Sequence, residues 1–84
     1  MTDIDIKAFI KERDEVLISG DITKMMEFHN RYHPELEPMK DPEIAEVALH
    51  KSRTAVTSLP IEMRRASKAW LMENGYQSMD DGDL

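Results

Sequence analysis

Three prolines in nine residues, Pro34, Pro38 and Pro42, restrict what this chain can fold into more than any other feature. Each fixes its own φ, lacks an N–H and pushes the preceding residue out of helical geometry. A strand ladder and a continuous helix are both excluded there, so the stretch is a stiff connector between two halves. Pro60 divides the second half, and the Gly20-Asp21 pair divides the first.

The segments between these breaks carry helical signals. Thr2 reads as the first N-cap, with Asp3 and Asp5 in the first turn. Ile6, Phe9, Ile10, Val16 and Leu17 recur at helical spacing, and Gly20 stands where a left-handed C-terminal cap falls. Asp21 caps a second helix whose face is Ile22, Met25, Met26, Phe28, His29 and Tyr32, ending before Pro34. Asp41 caps the third, with Pro42 at its first position and a stripe of Ile44, Ala45, Ala48, Leu49, Ser52, Ala55, Val56 and Leu59. Met63, Ala66, Ala69 and Trp70 line the fourth, which Gly75 closes with Tyr76 packing back on Leu71. The turns at Gly20-Asp21 and Leu59-Pro60 are short, so each joins antiparallel neighbours. The expected fold is all-α: a small bundle of about four helices in two antiparallel hairpins. It forms one domain over residues 1–76, with a disordered acidic tail at 77–84.

Composition narrows function. At 84 residues the chain is one small domain, burying about 60–65% of its unfolded surface, which leaves little room for a deep active-site cavity. The absence of cysteine excludes disulfides and thiolate metal sites. No apolar run reaches the ~20 residues of a membrane span. The acidic start, Met1 to Ile6, lacks the basic and apolar regions of a signal peptide, which points to a cytoplasmic protein without a membrane partner. The serines sit in no elbow or phosphate-loop motif, so the expectation is a protein that is not an enzyme and has no cofactor.

His29 and His33 lie four apart, a spacing that can present two imidazoles to a metal, with Glu37 as a third ligand. Asn30 stands where zinc peptidases carry glutamate, and a histidine in a last turn also suits the negative end of the helix dipole. No metal site is assigned. Met25, Met26 and Met63 are expected to fill core gaps, while Met39, Met72 and Met79 could form an adaptable contact surface.

Charge is segregated. The net charge is −6, yet His50, Lys51, Arg53, Arg64, Arg65 and Lys68 cluster against a single acid, Glu62. An antiparallel hairpin turning near Leu59 brings Arg53 level with Arg64 and Arg65, and His50 level with Lys68. Such a face can hold an anion, a nucleotide or an acidic partner, or it can be solvated and paired with nearby acids. The overall negative charge argues against direct nucleic-acid binding.

The pattern His50-Lys51-x-Arg53, then Leu59-Pro60, then Arg64-x-x-Ser67-x-x-Trp70-Leu71-x-x-x-Gly75-Tyr76 resembles a group of uncharacterised small proteins encoded by tailed bacteriophages and prophages. Upstream, Glu12-Arg13-Asp14 and Ser19-Gly20-Asp21 resemble the first hairpin of that group. The resemblance spans roughly residues 12–76 and supplies no catalytic residues. It implies a small helical phage product that adjusts host machinery or blocks host defence.

The leading expectation is a non-enzymatic interaction protein. It would bind a host or phage protein in the host cytoplasm, as an inhibitor of a defence or replication factor. Its negative charge would steer it to basic surfaces, with Asp80, Asp81 and Asp83 as the acidic partner-binding tail. The alternative is a small anion- or nucleotide-binding protein, monomeric or oligomeric, that uses His50, Lys51, Arg53, Arg64, Arg65 and Lys68. A chain this short is near the stability limit alone, so a homo-oligomer is also compatible with it.

Overall fold

The computed structural model describes residues 5–84. It is all-α, with four helices and no strand among the described residues: α1 (Ile6–Ser19), α2 (Ile22–Tyr32), α3 (Pro42–Ala55) and α4 (Ile61–Glu73). No described helix is long and apolar enough to cross a membrane.

Local chemistry explains most of the boundaries. Asp21 Oδ1 accepts from the Thr23 and Lys24 N–H groups, and Asp41 Oδ1 accepts from the Glu43 N–H ahead of α3. Gly20 adopts the left-handed region at φ 68°, and its N–H returns to the Val16 carbonyl. At the end of α4 the Gly75 N–H bonds the Met72 carbonyl and the Tyr76 N–H bonds the Leu71 carbonyl, a complete Schellman closure. The first cap differs from expectation. Asp5 itself accepts from the Lys7 and Ala8 N–H groups, so it is the N-cap and not a first-turn residue. The proposed Thr2 cap and Asp3 lie outside the described residues.

The main core joins α1, α2 and one face of α3. Val16, Leu17, Met25, Phe28, Leu49 and Leu59 form it, with Phe9, Ile22, Tyr32, Ala48, Val56 and Met63 packed around. Phe9 meets the edge of Tyr32 at 4.8 Å between centroids and tilts against Phe28 at 5.4 Å, which pins the α1–α2 hairpin. Glu12 adds to it, accepting from the Tyr32 hydroxyl at 3.1 Å and pairing with Arg31.

The prolyl connector is tied down by one side chain. Asn30 accepts from the Met39 N–H at 2.7 Å and donates to the Met39 carbonyl at 3.2 Å, so its amide imitates a short strand partner. Nothing in the spacing of Asn30 and Met39 signals this.

Helix α4 packs on α3 and, among the described residues, on no other helix. The molecule is accordingly elongated, 41 × 26 × 21 Å. Its inward face corrects the expected one. Arg64, Ser67 and Leu71 are buried, whereas Ala66 and Ala69 are exposed and Met63 and Trp70 are half-buried. The apolar pattern misleads here because the neighbouring face of α3 offers polar partners, so the helix turns its polar residues inward. Ile6, Ile10, Ile44 and Ala55, expected in apolar faces, are likewise exposed.

Candidate functional site

The antiparallel α3–α4 register is close to that expected: Arg64 meets Thr54 and His50 meets Ser67. The six basic residues nevertheless do not form one patch. Arg53 turns toward α1 and donates from Nε to the Leu17 carbonyl at 2.8 Å. That carbonyl is in the last turn of α1 and has no partner within its helix, so Arg53 serves as a cap delivered from another element. Burial pushes the Arg53 pKa below its ordinary value.

Arg64 acts similarly one helix later. Its Nη2 donates to the Thr54 carbonyl, in the last turn of α3, at 2.7 Å. Its Nη1 bonds Asp83 at 2.9 Å. The residue is 3% exposed, and its Nε has no hydrogen-bond partner among the described residues. Lys51 is half-buried and Arg65 exposed; neither makes an ion pair among the described residues.

His50 stacks on Trp70 at 4.2 Å between centroids and shares a 2.8 Å hydrogen bond with Ser67 Oγ. Burial, with the Arg53 charge second, lowers its pKa, so the ring is neutral near neutral pH. Tyr76 continues the ladder by lying parallel to Trp70, 6.3 Å away.

The acidic tail is the largest departure from expectation. Residues 77–84 are not a detached acidic tail; they fold back along the seam between α3 and α4. The Met79 N–H donates to Thr54 Oγ1 at 2.8 Å, and Lys68 Nζ bonds Asp80 at 3.2 Å. The Asp80 side chain, 2% exposed, also accepts from Ser78 Oγ at 2.5 Å and from the Gly82 N–H at 3.0 Å. The Ser78 bond, then those from Lys68 and Gly82, hold the Asp80 carboxyl far below the usual carboxylate range. Arg64 similarly lowers Asp83. Polar composition signals disorder only when no partner is present, and here Arg64, Lys68 and Thr54 are partners supplied by the hairpin. The two sets of candidate residues therefore meet: Asp80 and Asp83 occupy Lys68 and Arg64, while Asp81 stays exposed.

His29 and His33 lie with ring centroids 5.3 Å apart, and His33 Nδ1 is 3.4 Å from Glu35 rather than near Glu37. No group of three or more His, Asp or Glu side chains suited to a metal occurs among the described residues.

An apolar surface escaped the sequence reading. Ile44, 58% exposed, lines two adjoining open grooves. One continues through Val47, Ala48 and Lys51 to Tyr76; the other runs along Leu36, Pro38 and Met39. A third groove, between α1 and α2, is lined by Lys11, Glu15, Lys24 and Glu27, charges of both signs. No family model, curated protein or solved structure matches the chain.

Proposed function

We propose that this chain is a non-enzymatic interaction protein that docks a protein partner on the Ile44 surface. The observation that carries this reading is the exposure of Ile44 at the junction of two apolar grooves. Contiguous apolar surface rimmed by charge, here Lys40, Glu43 and Lys51, is characteristic of protein contact sites. The net charge of −6 steers the chain toward basic partners. The sequence resemblance to phage products makes the partner a host or phage protein, with inhibition of a defence or replication factor as the outcome of binding.

The test compares wild type with Ile44→Glu as bait in host lysate, followed by binding measurements on any purified partner. A partner lost in Ile44→Glu, bound more weakly as salt rises, supports the reading. An identical set of captured proteins for both baits overturns it.

The second reading, an anion site on the basic face, has one observation in its favour: Arg64 and Lys68 each hold a carboxylate. It is narrower than the six-residue site, since Arg53 points toward α1.

A further inference from the structure

The contacts of residues 77–84 are those of a ligand in a seat. Arg64 and Lys68 take carboxylates three residues apart, and Thr54 Oγ1 takes the backbone N–H just before the first of them. Recognition thus combines charge with a main-chain bond, which distinguishes a peptide from a free ion. Apolar burial contributes little, for Met79 is 58% exposed.

Arg64 supplies a second, independent observation. Capping the Thr54 carbonyl uses only Nη2, yet the whole side chain is buried and its Nε–H remains unpaired. A buried donor with no acceptor is costly and rare. Arg64 is thus held in the seam by only two of its donor groups, Nη2 on the Thr54 carbonyl and Nη1 on Asp83.

We propose that the α3–α4 seam is a binding site for an acidic peptide, occupied in cis by the chain's own residues 77–84. The preferred ligand is a segment that turns between carboxylates at positions i and i+3, as the chain does at Gly82, φ 87°, whose N–H bonds the Asp80 carboxylate. The tail holds the seat through its high effective concentration. A partner's acidic segment competes for the same contacts with Arg64, Lys68 and Thr54 Oγ1. This inference rests on the second reading above and is independent of the Ile44 surface.

The experiment uses the full chain and a labelled synthetic peptide of residues 77–84. Asp80→Asn with Asp83→Asn weakens the resident tail. Fluorescence anisotropy should show the peptide binding this variant roughly tenfold more tightly than wild type. Adding Lys68→Ala should remove the gain. Equal affinity for both chains, absence of binding to the double variant, or indifference to Lys68→Ala overturns the proposal. Circular dichroism confirms that the double variant keeps its helices. If it does not, Met79→Pro, which deletes the N–H bonded to Thr54 on an exposed residue, must produce the same gain, and failure there also overturns it. Inorganic phosphate forms a separate arm, read as a shift in melting temperature of the double variant. A shift with phosphate but no peptide binding sinks the acidic-peptide site while leaving an anion site standing; neither response sinks both.

Discussion

Helix α3 is packed on two sides, and the two sides are built from different chemistry. Toward α1 and α2 it presents Ala48, Leu49 and Val56 to a core of Leu, Met and Phe side chains. Toward α4 it presents His50 and Thr54 to Ser67 and Arg64, and the acidic segment closes over them. The apolar side draws stability from area removed from water and tolerates changes of detail. The polar side depends on each donor finding its acceptor, because an unmatched buried group costs more than a matched one contributes. The first is suited to holding the chain together, and the second to exchanging occupants.

Four perturbations test that division, taken from the largest effect to the smallest. Leu17→Ala empties a site that is 1% exposed in the apolar core and should cost about 3 kcal/mol. Both regions should then melt together at a much lower temperature in calorimetry. A separate, unchanged transition for α4 would show that the seam does not depend on the core.

Arg64→Met orphans the Thr54 carbonyl and releases Asp83, at a cost of about 2 kcal/mol. Hydrogen exchange should quicken across α4 and residues 77–84 while α1 and α2 keep their protection. Uniform loss of protection would erase the distinction between the two sides.

Gly20→Ala probes the link between α1 and α3. A Cβ at φ 68° is strained, and it would stand 3.1 Å from the Arg53 Nη2 that accompanies the bond to Leu17. The expected cost in denaturant unfolding is about 1–2 kcal/mol. A neutral result would mean that Arg53 moves aside freely.

Acid should weaken the polar side in two steps. His50 has a lowered pKa in the fold, so the unfolded chain takes up its proton first as pH falls. Stability is therefore full above the ordinary histidine value of about 6.5 and declines gently below it. Asp80 and Asp83 are also lowered, so their contribution is present above the ordinary carboxylate range and is lost as pH falls through their folded values. Thermal melts followed by circular dichroism should show a small decline below about pH 6.5 and a further one below about pH 4. His50→Gln should remove only the upper step. Persistence of that step would place its origin in another group.

The helical breaks were legible because they are local. Asp21, Asp41, Gly20 and Gly75 act on the few residues beside them, and prolines act on their immediate neighbours, so a linear chain displays these effects directly. The α3–α4 pairing was legible too, since a short turn at Leu59-Pro60 permits little else. Which way α4 faces was not. Its exposed Ala66 and Ala69 make a plausible apolar stripe until the Thr54 carbonyl and the His50 ring are known to lie opposite. The Ile44 surface was misread for the same reason, as part of a core stripe that α2 and α4 leave uncovered.

By itself, then, the sequence determined four helices, the caps at Gly20, Asp21, Asp41 and Gly75 and the hairpin order, because those follow from steric and hydrogen-bonding preferences within a few residues. Only the tertiary structure decided where the charges go. Arg53 caps α1, Arg64 caps α3, and Asp80 and Asp83 lie over Lys68 and Arg64. These pairings span 10 to 36 positions along the chain. A side chain's charge is written in the sequence, but its partner is set by which carbonyl or carboxylate the fold brings within reach.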